Sequence, residues 1–490
     1  MHPTNTLYII SDEHSRSAAG CYGHPLIKTP HLDQLAATGT RFTNAYTPSP
    51  TCVPTRASLA TGRWVHQLGT WSSAEPYEGQ AISWHQRLRE CGHRVASIGK
   101  LHYRDSHARN GFSEEILPMH VVNGVGWIKG LLRQENTSYE AACRELAEQV
   151  GPGESSYTLY DRHITDATCE WLQARATQPE DKPWTLFVSF VCPHYPLYAP
   201  QEFFDLYSLD EIDMPFGADK SEWPTHPVMQ EFYRFYNYDP HFDEERTRLA
   251  RASYYALCSF LDDNIGQVIK ALDESGQRND TRIIYTSDHG DLIGNHGQWT
   301  KMCMYEDSVA IPLIMNGPDI PAGAVVDAPV SLVDSYPTMI ESAGETLTNE
   351  EKQLPGDSLF DIINDQIDRE VTFSEYHDGG TANGFFMIRL REWKYIYYAG
   401  GYPPQLFNLV DDPQEMTDLG EHPDYAAIRE ECEVALHNII DPEAVNDQAI
   451  TEQAEKLAKL GGVAAALRLT ESDFGFTPPK HVGIDFGALV

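Results

Sequence analysis

The sequence predicts an α/β fold. A large, mostly parallel β-sheet is sandwiched by helices and followed by a smaller C-terminal α+β subdomain with an antiparallel sheet. Three observations carry this expectation. Short apolar, β-rich runs alternate with segments of helical periodicity. Those runs end repeatedly in ionisable residues. After about residue 365 the pattern changes to closely spaced alternating runs.

The first run is Thr6–Ser11, which ends in Asp12-Glu13-His14. Arg94–Ile98 ends in Gly99-Lys100-Leu101-His102, and Trp184–Val191 ends in Cys192-Pro193-His194. Arg282–Thr286 ends in Ser287-Asp288-His289-Gly290. Between them, Thr137–Glu140 reads as a capping box ahead of an apolar face made by Ala142, Cys143, Leu146 and Val150. Leu257, Leu261, Ile265, Val268 and Leu272 repeat at helical spacing before the fourth run. In parallel sheets ligands bind at the carboxyl ends of strands. One polar strand end is common, but four carrying Asp, Lys and His, His, and Asp and His mark a site.

The C-terminal part reads differently. Val371–Tyr376 and Phe385–Tyr398 look like antiparallel strands, with alternation at Met387, Arg389 and Arg391. Leu406–Leu409, a turn at Asp411–Pro413 and a helix over Tyr425–Ile440 follow. The expected organisation is a catalytic unit over 1–365, a subdomain over 366–440 and a tail over 441–490. The tail holds one more helical stretch (Ile450, Ala454, Leu457) and a Gly/Pro-containing end, Phe474–Val490. Two readings of it stand side by side: it covers a partner subunit in a homo-oligomer, or it packs on its own chain.

Composition narrows the function. The 490 residues include 72 acidic and 36 basic side chains, a net charge of −36. That balance argues against nucleic acid and against anionic membrane surfaces, which need a basic face. An anionic substrate then requires a local positive site. The longest apolar run, Trp184–Val191, is far short of the roughly 18 residues a membrane span needs. No basic, apolar leader is visible at the N-terminus. Nine cysteines are scattered singly with no CxxC pair, which points to buried free thiols and a cytoplasmic location.

The strongest local signal is Cys52-Val53-Pro54-Thr55-Arg56, continuing to Thr61-Gly62-Arg63. It resembles the signature of formylglycine-dependent sulfatases of the alkaline phosphatase superfamily, in which the cysteine is oxidised to formylglycine. Further stretches share the resemblance: Thr29-Pro30-His31-Leu32-Asp33, Gly99-Lys100-Leu101-His102, Pro193-His194-Tyr195-Pro196, Leu332–Thr338 and Leu406–Glu415. They span most of the chain. The closest likeness is to bacterial arylsulfatases, choline sulfatases and phosphonate monoester hydrolases.

The resemblance implies a large mixed sheet between helices with a smaller four-stranded subdomain. It implies a sulfuric ester hydrolase acting on small aryl or alkyl sulfates, with phosphonate monoester or phosphodiester hydrolysis as the alternative. A third possibility is a non-enzymatic metal-binding or interaction protein in which Cys52 stays a thiol. In the enzyme reading, one hydroxyl of the aldehyde hydrate attacks the ester and the other regenerates the aldehyde, dividing one hard step into two. One divalent cation, calcium or manganese, would be held by Asp12, Cys52, Asp288 and His289. His289 stands where many relatives have Asn, and an imidazole favours manganese over oxygen-loving calcium. Glu13 stands where many relatives have a second Asp ligand, and its part in the ligand set stays open. Lys100 would meet the substrate anion and His102 would help release sulfate. His194 and Lys301 would serve the leaving oxygen, and Arg56 the nucleophile's surroundings. His296 is expected outside the catalytic set. A formylglycine-generating enzyme is the implied maturation partner, and a small anionic sulfate ester the substrate.

The aromatic stretch 201–242 admits two readings, a wall for an aryl or quaternary-ammonium group or an insertion packed on itself. Trp71 and Trp127 are placed near the site by position only. Leu68–Ser73 lacks an Asn that relatives place near the oxyanion.

Overall fold

The computed structural model describes residues 2–133, 138–178 and 181–470. The predicted tail end Phe474–Val490, and Thr137 of the predicted capping box, lie outside the described residues. Eight strands form the main sheet: β1 (Asn5–Asp12), β2 (Thr40–Phe42), β3 (Val95–Lys100), β4 (Glu114–Met119), β5 (Thr185–Pro193), β6 (Thr281–Ser287), β7 (Leu313–Asn316) and β8 (Ala324–Val326). Their order is β8-β2-β7-β6-β1-β5-β3-β4. Only β7 runs against its neighbours; the other pairings are parallel. The mixed, mostly parallel sheet expected from the sequence is therefore observed.

All four predicted runs are strands at its centre. Their continuous apolar character follows from burial on both faces. In β1, Leu7 and Ile9 face one core while Tyr8 and Ile10 face the other. The first core is covered by α1 (Pro30–Ala37), α3 (Ser156–Ala176) and α4 (Glu244–Glu274), the second by α2 (Cys52–Thr61) and α5 (Ser335–Ser342). The predicted stripe Leu257, Leu261, Ile265, Val268 and Leu272 lies on α4 and is buried in the first core. Asp243 caps α4 by accepting from the Arg246 amide at 2.8 Å. The helix over Glu140–Glu148 begins with Tyr139 at its N-cap, whose side chain makes no capping bond. Cys143 and Leu146 are buried as expected.

The C-terminal sheet is an antiparallel meander of β9 (Val371–Tyr376), β10 (Phe385–Leu390), β11 (Trp393–Tyr398) and β12 (Gln405–Asn408). One face, with Phe385, Met387 and Ile396, joins the first core. The other, with Phe386, Ile388 and Tyr395, packs on Cys432 and Leu436 of α6 (Ala426–Ile439). Helix α7 (Pro442–Lys459) returns to its own chain, where Ala449 packs with Val65 and Trp71 and Glu452 accepts from Trp71 Nε1 at 2.7 Å. None of the nine cysteines is paired in a disulfide. Among the described residues no helix is long and apolar enough to cross a membrane.

Candidate active site

The carboxyl ends of β1, β3, β5 and β6 meet the N-terminus of α2. β1 loses register with β5 between Ile10 and Asp12, and β3 loses register with β4 between Ile98 and Lys100. Such irregularities re-aim side chains at strand ends. Gly99 is required at one of them, because its φ is +102° and a Cβ would meet Ser189 O at 2.2 Å. Glu13 and His102 adopt positive φ, +67° and +54°, without being glycine. Backbone strain of this kind clusters at functional sites.

Cys52 opens α2 and is buried between two strand ends. Its Sγ lies 3.2 Å from His289 Nε2 and 3.6 Å from Asp12 Oδ1. His289 Nε2 is 3.5 Å from both Asp12 Oδ1 and Asp288 Oδ1. Ligand atoms of Asp12, Cys52, Asp288 and His289 all lie within 4.8 Å of one another, and all four residues are buried. His289 Nδ1 donates to Gly290 O at 3.0 Å, which leaves Nε2 with its lone pair toward the cluster. Burial pushes the Cys52 thiol up to about 12 and the His289 imidazole down to about 3. Two carboxylates, a sulfur and a neutral imidazole in one buried cluster could hold a metal ion.

Cations surround this cluster. Arg56 Nε donates to Asp288 Oδ2 at 2.8 Å, and its Nη1 donates to Lys100 O and Ser189 Oγ at 2.8 Å each. Lys100 Nζ donates to Asp12 Oδ2. Burial brings the Lys100 ammonium down to about 7. Lys301 Nζ lies 2.9 Å from His194 Nε2 and 3.1 Å from Glu13 Oε2. Burial opposes the Lys301 charge, but Cys52, Glu13 and Asp288 hold the group above its ordinary value. Burial, then Lys301, keeps His194 well below its ordinary value, so it is neutral.

Cys52, His102, His194 and Lys301 line one cavity of about 100 Å³. Tyr236 and Tyr238 line it too, so part of the aromatic stretch does wall the cavity. Other members pack elsewhere: Phe235 lies in the core and Trp223 stacks on Tyr233. Trp127 and Ser73 reach the cavity, whereas Trp71 packs edge-on against His377. His296 lies outside it, stacked on Tyr305.

The sequence of this site is matched by a family model described as Sulfatase, over residues 4–345. The chain belongs to the sulfatase family. This sulfatase is a sulfuric ester hydrolase. Residues 294–441 match a second family model, described as N-sulphoglucosamine sulphohydrolase, C-terminal. It is 32% identical over 468 residues to arylsulfatase K of Danio rerio, covering 90% of this chain and 84% of that protein. It is 31% identical to a choline-sulfatase of Rhizobium meliloti (strain 1021), covering 81% and 78%. Among solved structures, the phosphonate monoester hydrolase of Agrobacterium radiobacter superposes with a TM-score of 0.73 at 23% identity, covering 91% and 96%. That likeness is one of fold.

Of the site residues expected from the sequence, Asp12, Lys100, His102, His194, Asp288 and His289 lie at or just beyond these strand ends, Cys52 and Arg56 lie on α2, and Lys301 lies in the loop after β6. Lys100 turns to Asp12 and is not among the residues that line the cavity. Sequence reasoning missed Tyr139, Tyr157 and Met302 in the cavity wall and Ser189 beneath Arg56. Met302 adjoins Lys301 and could have been suspected; Tyr139 and Ser189 sit in segments read only for secondary structure, which says nothing of a site, and Tyr157 carries no local signal.

Proposed function

We propose that this sulfatase hydrolyses small organic sulfate monoesters at Cys52, converted to formylglycine, with one divalent cation held by Asp12, Cys52, Asp288 and His289. The observation that supports this best is the shared position of Cys52. It belongs to the four-residue cluster and also faces the cavity with His102, His194 and Lys301. When present, the cation supplies Lewis-acid polarisation and the aldehyde hydrate supplies the nucleophile. A formylglycine-generating enzyme is then the maturation partner.

The chain's own residues divide the remaining work. Arg56 ties α2 to Asp288 and so holds Cys52 against the ligand cluster. Lys301 carries a proton on Nζ and donates to His194 Nε2, whose Nδ1 donates to Tyr195 O at 2.7 Å. That pair is placed to give a proton to a departing alkoxide or phenoxide. Lys301, with Lys100 and Arg56 behind the cluster, supplies local positive charge against a chain of net charge −36. The imidazole in the donor set favours manganese over calcium.

Two measurements test the proposal. The mass of the Cys52 peptide, taken from protein made in its native host, should be that of the aldehyde; finding only thiol refutes the nucleophile. Hydrolysis of an aryl sulfate and the matched aryl phosphonate monoester should be compared with manganese or calcium supplied. Preference for the sulfate is expected, and a clear preference for the phosphonate would replace this reading with phosphonate ester hydrolysis.

A further inference from the structure

Glu13 follows the cluster residue Asp12 directly, yet it is not among the four residues whose ligand atoms close around Cys52, which are Asp12, Cys52, Asp288 and His289. It falls in a second close group, with Asp12 and His194. Glu13 Oε2 instead lies 3.1 Å from Lys301 Nζ and 3.2 Å from His194 Nε2. His194 Nδ1 is committed to Tyr195 O, so Nε2 is an acceptor. Lys301 Nζ is therefore one donor shared by two acceptors, Glu13 and His194.

The backbone imposes this direction. Residue 13 has φ +67°. Its amide donates to Asp288 Oδ1 at 3.2 Å, and its carbonyl accepts from Tyr254 OH at 2.7 Å. Pinned at both ends in a left-handed conformation, it carries its carboxylate one methylene beyond the reach of an aspartate. Its other oxygen, Oε1, is buried without a protein partner. Whether Glu13 also reaches a cation is read directly by cation content.

We infer that Glu13 is the positioning residue of the Lys301–His194 pair, not a ligand of the cation. Its carboxyl, hydrogen-bonded to Lys301 Nζ, orients that nitrogen toward the leaving oxygen. The proton given to the leaving group comes from Lys301, and Glu13 forms no bond to substrate. This inference rests on the sulfatase reading above.

The test uses the full chain and the Glu13→Gln variant. Cation content is measured on purified protein by elemental analysis. Turnover is compared on para-nitrophenyl sulfate, a good leaving group, and phenyl sulfate, a poor one. The variant should keep wild-type cation content. It should lose about a hundredfold on phenyl sulfate, the lower end of what a positioned proton donor contributes, and several times less on the nitrophenyl ester. In a Lys301→Ala background, Glu13→Gln should cost little more, because the two act as a unit. Loss of the cation, or equal loss on both esters, overturns the inference. A purely structural role would lower both rates together.

Should Glu13→Gln fail to fold, Glu13→Asp decides. It keeps the carboxyl group but falls short of Lys301, so the same leaving-group-selective loss is expected, and wild-type rates on both esters would overturn the inference. If the wild type hydrolysed no sulfate ester, the reading of the reaction would fall. The cation content of the two Glu13 variants would then judge the ligand question by itself.

Discussion

Arg56 Nε donates to Asp288 Oδ2 at 2.8 Å, so the residue one helical turn beyond Cys52 is bonded to a member of the proposed cation cluster. The pair is buried, at 2% and 0% side-chain exposure. Removing one partner leaves a buried, uncompensated charge, at a cost of about 3–5 kcal/mol. Arg56→Ala should therefore lower both the unfolding midpoint and cation retention. Arg56→Lys should recover only part of each, since an ammonium cannot reproduce the fork that also reaches Lys100 O and Ser189 Oγ. Urea unfolding and elemental analysis check this; wild-type cation content in Arg56→Ala would contradict it.

Cys52→Ala should abolish turnover of sulfate esters while leaving the fold. The side chain is small, and its truncation should cost only about 1 kcal/mol of stability. Circular dichroism and a sulfate-release assay separate the two effects. Residual activity near wild type would remove Cys52 from the reaction.

Removing divalent cations with a chelator should stop turnover and lower the unfolding temperature. Both should return on adding manganese. Cation at a hundred times its dissociation constant stabilises the native state by about 2.7 kcal/mol. Asp12→Asn should shift the concentration needed upward, because Asp12 belongs to the cluster and has Lys100 as its competing partner. A chelated protein that keeps full activity would refute the cation requirement.

A pH effect is expected beside the cavity. Burial pushes the Glu75 carboxyl up to about 7, against the pull of Lys456 and hydrogen bonds from Ser72 and Gln453, while Asp378 adds to the rise. The unfolded chain ionises this group at lower pH than the native state does. Between about 4.5 and about 7 the native state thus binds more protons, and stability falls as pH rises. Above that window the penalty is complete, up to about 3 kcal/mol at 1.4 kcal/mol per unit. Glu75→Gln should remove it, so the variant gains on the wild type as pH rises through the window. Urea midpoints taken on both sides of it test the sign; an unchanged difference would refute it.

The parts of the fold legible in the sequence were those with a dense local signal. The four central strands, buried on both faces, read as continuous apolar runs, and α4 as a long stripe. Among the strands of the main sheet, those that escaped notice are β2, β7 and β8, of three or four residues each, and β4, an edge strand that contains Pro118. Such short or interrupted segments carry too little periodicity to read. In the site, Asp12, Lys100, His102, His194, Asp288 and His289 were legible because each follows a strand in a parallel sheet, where topology gathers strand ends. Tyr139 and Tyr157 were not, because they reach the cavity by packing.

By itself the sequence determined the layer architecture, the sulfatase signature at Cys52 and the set of charged residues at the strand ends. These depend on residue type and spacing, which the chain displays directly. Only the tertiary structure decided that Lys100 turns to Asp12, that Glu13 faces Lys301 and His194, and that α7 lies back along Trp71. The physical reason is that side-chain direction at a strand end is set by register shifts and left-handed backbone, and helix docking by complementary surfaces distant in sequence.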